Sequence, residues 1–193
     1  MKLYHSVTSP FARKVRLAAA VLDVPLELVA TDPMSDPADL LAANPLAKIP
    51  ALLLDDGSSL FDSSVIVQVL DDLAGHRLMA PMGPERWDAL RGEALADGIM
   101  EAAVASAAER WRPESEKSPS WLDRYDRAIE RGLTEAAKAP PPWPRLPALA
   151  LACALEYLDL RHERLAWRDR HPALRDWLVD LADKQVLKDT RPA

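Results

Sequence analysis

Three short segments in the first third of the chain combine polar side chains with proline in ways that could bind charged groups. They are Ser9-Pro10, Asn44-Pro45-Leu46-Ala47-Lys48-Ile49-Pro50 and Asp62-Ser63. Ser9 stands where a helix N-cap is expected and Pro10 at the first helical position, so this helix start is well specified. Asp62-Ser63 also precedes an apolar helical pattern, and free N–H groups at a helix N-terminus bind carboxylates.

Other kinds of chemistry have little support in the sequence. Cys153 is the only cysteine, which excludes an internal disulfide, a paired-cysteine redox motif and a thiolate cluster for zinc or iron–sulfur. The histidines are too scattered for a metal site, and there is no Walker A or GxGxxG motif. We therefore expect no metal, and we expect Cys153 to be a small core residue of an apolar helix.

The elements that must position these segments alternate between strand and helix over the first 75 residues. In chain order we predict a strand at 2–5, a helix from 10, a strand at 26–29, a short helix ending near 43, strands at 51–54 and 60–61, and a helix from 62–63 to Gly75. This order is the outline of a thioredoxin-like domain. The prolines and glycine of residues 76–85, without periodicity, predict an inter-domain linker.

Everything after the linker has helical patterns. We predict helices over 87–110, from 119, over 149–161 and from 172. Residues 139–147 hold five prolines and must form a loop. The apolar segment 149–161 is expected to be the buried central helix of a second, all-helical domain at 86–193.

Composition limits the class of protein and of partner. The chain has 193 residues, 49% of them apolar, and a formal net charge of −6, which indicates a globular protein of one or two domains. An acidic chain without a basic block argues against nucleic acid or an anionic membrane as the main partner. No apolar run resembles a signal peptide or a membrane span, so we expect a soluble, cytoplasmic protein.

The three segments, in this order and spacing, resemble the glutathione S-transferase pattern in its serine-type form. The resemblance covers the N-terminal domain closely. The helical half is similar in layout, and residues 153–159 (CALEYLD) resemble the core helix of bacterial members. It implies a thioredoxin-like α/β domain at 1–75 packed against the all-α domain, a homodimer, and conjugation of glutathione, as co-substrate, to a small hydrophobic electrophile bound between the domains.

The resemblance assigns Ser9 to the thiol of glutathione, whose thiolate is the nucleophile. A hydroxyl that donates a hydrogen bond to sulfur favours the charged form, as does a helix N-terminus. Ser9 would thus stabilise the thiolate and would not itself be a covalent nucleophile. Thr8 and Ser6 are neighbouring hydroxyls that could take this role instead.

The remaining glutathione contacts are also implied by the resemblance. Pro50 would follow a cis peptide bond, so that Ile49 presents its backbone to the cysteinyl part, while Lys48 pairs with the glycyl carboxylate. Ser63 would bind the γ-glutamyl carboxylate and Asp62 its ammonium, although the family often has Glu at the latter position. Simpler alternatives are two plain helix caps, a trans proline and a solvated lysine.

Some residues stay without an assigned role. Arg13 and Arg16 are interpreted as surface charges. The tryptophans, Trp111 and Trp167 among them, are core residues, or one of them lines the electrophile pocket. The family's central helix usually starts with a Ser or Thr cap and an Asp three residues later, whereas Arg145-Leu146-Pro147-Ala148 has neither.

Two functional classes remain open from the sequence. One is an enzyme that conjugates glutathione to an electrophile. The other is a glutathione-transferase-like binding or regulatory protein without turnover. A cysteine-type thiol transferase is disfavoured because position 9 is Ser and Cys153 lies in the other domain.

Overall fold

The computed structural model describes residues 1–192. The N-terminal half contains, in chain order, β1 (Lys2–His5), α1 (Pro10–Leu22), β2 (Glu27–Ala30), α2 (Ala38–Ala43), β3 (Ala51–Leu53), β4 (Ser59–Leu60) and α3 (Ser63–Leu73). The C-terminal half contains α4 (Pro84–Trp111), α5 (Pro119–Ala136), α6 (Leu146–Arg161), α7 (Trp167–Arg170), α8 (Pro172–Leu181) and α9 (Gln185–Thr190). Short 3-10 turns lie at Pro33–Ser35, Glu114–Glu116 and Glu163–Leu165. The predicted fold class, a thioredoxin-like domain followed by a helical region, is confirmed.

The four strands form one mixed sheet in the order β2-β1-β3-β4, with β1 parallel to β2 and the other pairs antiparallel. Side chains alternate between the two faces of a strand. Leu3 and Leu52 therefore point into the main core with α1 and α3, and both are fully buried. Tyr4 and Ala51 point to the opposite face, where Leu40 of α2 covers them.

The strand register brings three loops to one edge of the sheet. Tyr4 pairs with Ala51, so β1 ends where β3 begins. Leu52 pairs with Leu60, so β4 also ends beside the start of β3. The segments that follow β1, precede β3 and follow β4 consequently lie together, and these are the three segments singled out in the sequence.

The central helix of the C-terminal half is α6, as its apolar sequence predicted. It packs against α4 and α1 and is buried along nearly its whole length. It starts at Leu146, three residues before the predicted start. Arg145 at the N-cap makes no capping hydrogen bond through its side chain, and the Leu146 N–H instead donates to the Leu78 carbonyl at 3.1 Å. A tertiary contact thus supplies one partner at a helix start that lacks the usual side-chain cap.

The segment after α3 is held to that helix. The carboxylate of Asp71, which is fully buried, accepts hydrogen bonds from the Leu78 and Met79 N–H groups at 2.7 and 3.2 Å. Both of these apolar side chains are buried. Helix α4 begins at Pro84, inside the predicted linker 76–85. The division into domains at 1–75 and 86–193 stays a prediction.

Across residues 1–192, none of the helices combines the length and the apolar character that crossing a bilayer requires.

Candidate active site

Ser9 is the N-cap of α1, as predicted. Its backbone is extended and its Oγ accepts a hydrogen bond from the Ala12 N–H at 3.2 Å. A hydroxyl that accepts a hydrogen bond keeps its own proton free to donate. Pro10 has no N–H, and the Phe11 N–H has no partner within the helix because it lies in the first turn. The start of α1 therefore offers an O–H donor and the positive end of a helix dipole to an anion.

The two alternative hydroxyls are engaged with each other. Ser6 Oγ lies 3.1 Å from Thr8 Oγ1, and the Thr8 N–H donates to Ser6 Oγ at 3.4 Å. These bonds shape the turn between β1 and α1, which is closed by the Ser9 N–H donating to the Ser6 carbonyl at 3.2 Å. Of the three hydroxyls, that of Ser9 is the one placed directly at the helix N-terminus.

The loop before β3 is shaped by Asn44, which is buried. Its Nδ2 donates to the Lys48 carbonyl at 2.8 Å and its Oδ1 accepts from the Leu46 N–H at 3.0 Å. The Ile49–Pro50 peptide bond is cis, as the resemblance implied. The sequence motif contains Asn44 without indicating a role for it, and in the structure its side chain holds this loop in shape.

Lys48 is exposed on the same loop. Within residues 1–192 no carboxylate lies within ion-pairing distance of its Nζ. Ile49, the next residue, is half-buried at the start of the cis bond. The loop thus presents the ammonium group of Lys48 and the backbone of Ile49 at the sheet edge where Ser9 lies.

The third segment forms the start of α3. Asp62 is its N-cap and is exposed, and its Oδ1 accepts a hydrogen bond from the Ser64 N–H at 3.1 Å. Ser63 is the first helical residue and only 3% of it is exposed. The structure therefore brings all predicted site residues to one edge of the sheet, with two helix N-termini flanking the loop of Lys48 and Ile49.

Comparison with known proteins agrees with this geometry. A family model described as the glutathione S-transferase N-terminal domain matches residues 3–78. The chain is 30% identical over 199 residues to the uncharacterized GST-like protein YibF of Escherichia coli, covering 100% of this chain and 98% of that relative. The chain belongs to the glutathione S-transferase family.

Two solved structures of family members are similar over nearly the whole chain. A glutathione S-transferase from Methylobacterium radiotolerans, in complex with glutathione sulfonate, is 36% identical with a TM-score of 0.92, covering 99% of this chain and 94% of that one. A glutathione S-transferase from Methylobacillus flagellatus, with glutathione bound, is 35% identical with a TM-score of 0.90, covering 100% of this chain and 99% of that one.

A buried cluster of charged side chains lies behind the candidate site and centres on Lys14 of α1. Lys14 Nζ, fully buried, contacts Glu93 Oε1 at 2.7 Å, Asp97 at 2.7 and 2.8 Å, and Ser64 Oγ at 3.2 Å. Ser64 Oγ in turn donates to Asp97 at 2.9 Å. The cluster joins α1, which carries Ser9, to the start of α3 and to α4.

Sequence reasoning missed this cluster. Glu93 and Asp97 are spaced to share one face of α4, which is visible in the sequence, but nothing in a single sequence pairs them with Lys14. The interpretation of Arg13 as a surface charge is wrong. Arg13 is 1% exposed, and its guanidinium pairs with Glu156 of α6 and donates to the Leu187 carbonyl at 3.4 Å. Arg16 is half-buried and reaches the Asp189 carbonyl.

Cys153 is a core residue, as predicted. It is fully buried in α6, and burial raises the pKa of its thiol to about 11. The thiol therefore stays protonated at neutral pH and is a poor nucleophile. Among residues 1–192, no group of three or more His, Cys, Asp or Glu side chains is arranged to hold a metal ion.

Proposed function

We propose that this chain binds glutathione at the edge formed by the three segments and conjugates its sulfur to an apolar electrophile. The γ-glutamyl carboxylate binds at the start of α3, where Ser63 offers its N–H and hydroxyl. Asp62 pairs with the γ-glutamyl ammonium and Lys48 with the glycyl carboxylate. The cysteinyl part lies along the main chain of Ile49, which the cis bond to Pro50 presents.

Ser9 acts on the sulfur in this proposal. Its O–H donates to the thiolate, and the N-terminus of α1 adds a favourable dipole. Both interactions favour the anionic sulfur and lower the pKa of a thiol that is about 8.5 when free. The thiol proton goes to solvent, and the thiolate then forms a carbon–sulfur bond with the electrophile. The electrophile loses a leaving group, opens an epoxide C–O bond, or adds the sulfur across an activated double bond, and the alkoxide or enolate formed in the last two cases takes a proton from water.

The observation that carries this proposal is the convergence of Ser9, Ile49 and Asp62-Ser63 at one edge through the strand register. The engagement of Ser6 and Thr8 with each other favours Ser9 over those two hydroxyls. The two similar structures that hold glutathione or its sulfonate support glutathione as the ligand.

The test separates turnover from binding alone. The purified chain is incubated with glutathione and a panel of halonitroarenes, epoxides and enals, and conjugates are detected by mass spectrometry. We expect glutathione-dependent conjugation with at least one class. Tight glutathione binding with no conjugate from any class would instead identify a binding or regulatory protein.

Asp62→Asn is expected to weaken glutathione binding by about fivefold, close to 1 kcal/mol, because an exposed ion pair contributes at most about that much. The asparagine retains a side-chain oxygen for the Ser64 N–H, so α3 keeps its cap. Calorimetric titration measures the affinity, and an unchanged melting temperature shows that the cap is intact. Wild-type affinity in this variant would leave Asp62 as a helix cap without a ligand role.

We also propose a cytoplasmic homodimer, on the family resemblance. Sedimentation at micromolar concentration is expected to give about twice the chain mass of 21.3 kDa. A single species at the mass of one chain would contradict it.

A further inference from the structure

The loop between α2 and β3 is organised by the hydrogen bonds of one residue, Asn44. Its backbone N–H donates to the Leu40 carbonyl of α2 at 2.7 Å, and its backbone carbonyl accepts from the Ala47 N–H at 2.9 Å. Its side chain accepts from the Leu46 N–H and donates to the Lys48 carbonyl. Asn44, which is only 2% exposed, thus ties the loop to the end of α2 and fixes its shape from the inside.

The two side-chain bonds of Asn44 require an amide. The Leu46 N–H needs an acceptor, which is Oδ1 at 3.0 Å, whereas the Lys48 carbonyl needs a donor, which is Nδ2 at 2.8 Å. An ionised aspartate has the same shape but carries only acceptors, so it would place an oxygen against the Lys48 carbonyl. The residue type at position 44 therefore decides whether that carbonyl is held inward.

The orientation of the Lys48 carbonyl sets the orientation of the Ile49 N–H. The peptide bond between these two residues is trans, and the C=O and N–H groups of a planar trans peptide point in opposite directions. Because the carbonyl points inward to Asn44, the N–H points away from it, out of the loop. Within residues 1–192 this N–H donates to no acceptor, although Ile49 is half-buried. A buried or half-buried N–H normally has a partner, so this donor is available to a ligand.

Resting on the proposed function, we infer that Asn44 is a positioning residue for the cysteinyl part of glutathione. It turns the Lys48–Ile49 peptide so that the Ile49 N–H donates to the cysteinyl carbonyl. Asn44 does not itself touch glutathione in this arrangement, because it is buried beneath the loop and acts through the peptide that it holds. An N–H fixed in this way recognises a main-chain carbonyl as a strand edge recognises an extended peptide.

Asn44→Asp tests this role directly, because it keeps the acceptor for the Leu46 N–H and removes only the donor to the Lys48 carbonyl. The peptide is then no longer held with the Ile49 N–H outward, so we expect glutathione to bind about tenfold more weakly. That factor is about 1.4 kcal/mol, the scale of one hydrogen bond. Calorimetric titration measures the affinity.

Asn44→Ala is the second variant and replaces Asn44→Asp if the latter does not fold. It removes both side-chain hydrogen bonds without adding a charge beside the Lys48 carbonyl. The carbonyl is then free to turn, and glutathione should bind at least roughly threefold more weakly, the lower end of the range for one hydrogen bond.

The matched control is Asp71→Asn, the reverse exchange at another buried side chain. The Asp71 carboxylate is fully buried and accepts from the Leu78 and Met79 N–H groups near the end of α3, whereas the candidate site lies at the start of that helix. Asp71→Asn places an N–H donor against a backbone N–H and should lower the melting temperature. Glutathione affinity should nevertheless stay close to wild type, which a general loss of stability in the Asn44 variants would not explain.

Amide hydrogen exchange reports on the Lys48–Ile49 peptide itself. In wild type, saturating glutathione should slow exchange of the Ile49 N–H about tenfold or more, because the ligand supplies its acceptor. The Leu46 N–H is bonded to Asn44 and should be protected with and without glutathione. In Asn44→Asp, the Leu46 N–H should remain protected, whereas saturating glutathione should no longer protect the Ile49 N–H.

The outcomes separate this inference from the proposed function. If glutathione binds wild type without protecting the Ile49 N–H, or binds the Asn44 variants with wild-type affinity, the inference is overturned while glutathione binding stands. An equal loss of affinity in Asp71→Asn would assign the effect to stability and would also overturn it. If glutathione does not bind wild type, the proposed function fails and the inference fails with it.

Discussion

Replacing Ser9 by alanine is expected to lower turnover by roughly 10- to 100-fold near pH 6.5 while glutathione binding changes little. The Ser9 O–H is proposed to donate to the bound thiolate, and a hydrogen bond to a charged group contributes about 1.5–3 kcal/mol. Each pKa unit corresponds to about 1.4 kcal/mol, so the pKa of the bound thiol should rise by roughly 1–2 units. Glutathione affinity is retained because its other contacts are those of Ile49, Asp62 and Ser63.

The effect of Ser9→Ala on turnover is expected to depend on pH. Turnover rises with pH as the bound thiol ionises and levels off above its pKa. In Ser9→Ala the inflection of the pH–rate curve moves to higher pH. The loss of turnover relative to wild type is therefore largest at low pH and shrinks once the pH exceeds the pKa of the bound thiol in both proteins. Thiolate absorbance against pH measures the pKa directly.

One further variant and a stability measurement separate the catalytic role of Ser9 from its role as a helix cap. Ser9→Thr keeps a hydroxyl and should recover most of the rate. Ser9→Ala should lose only about 1 kcal/mol of stability, the usual loss for a missing cap. A wild-type rate and a wild-type thiol pKa in Ser9→Ala would reduce Ser9 to a cap, and Ser6→Ala and Thr8→Val would become the next variants to measure.

Replacing Lys14 by methionine is expected to destabilise the fold by about 3–5 kcal/mol, because it leaves two carboxylates, Glu93 and Asp97, buried without their cationic partner. The Glu93 side chain is 3% exposed, and its contact with Lys14 Nζ is 2.7 Å. At about 2–4 °C per kcal/mol for a chain of this size, the melting temperature should fall by roughly 6–20 °C. Thermal and urea unfolding both measure the change.

The matched control for Lys14 is Lys138→Met. Lys138 also forms a close ion pair, at 2.6 Å with Glu135, but both side chains are largely exposed. The same substitution there should change the free energy of unfolding by less than about 1 kcal/mol. Adding Glu93→Gln to Lys14→Met removes the more deeply buried of the two unpaired charges and should recover part of the loss of stability, while Asp97 keeps its hydrogen bond from Ser64. Equal effects of the two single substitutions would show that the buried cluster contributes no more than a surface pair.

Local signals in the sequence are enough to predict most of the elements and the residues at the starts of α1 and α3. Ser9-Pro10 and Asp62-Ser63 start α1 and α3, since a polar N-cap and a proline at the first turn act within a few residues. The apolar segment of α6 likewise predicts burial, because it carries no polar face. Helix α6 begins three residues before its predicted start, at Leu146, whose N–H is satisfied by the distant Leu78 carbonyl rather than by a neighbouring side chain that a local signal would reveal.

What the sequence could not determine is what covers the second side of α1. Phe11, Val15, Ala18 and Leu22 recur at helical spacing and predict one buried face of α1. The charged residues off that face, Arg13 among them, are expected to be exposed. In the fold, α6 and α4 cover that other side as well, so Arg13 and Lys14 are buried and must find Glu156, Glu93 and Asp97 as partners.

The sequence by itself therefore determined most of the helices and strands, and which residues stand at the three starts that form the candidate site. Only the tertiary structure decided that those starts share an edge, and which charges are buried. The reason is physical: caps and periodicity depend on neighbours in the chain, whereas strand register and ion pairing between helices depend on residues that meet only when the chain is folded.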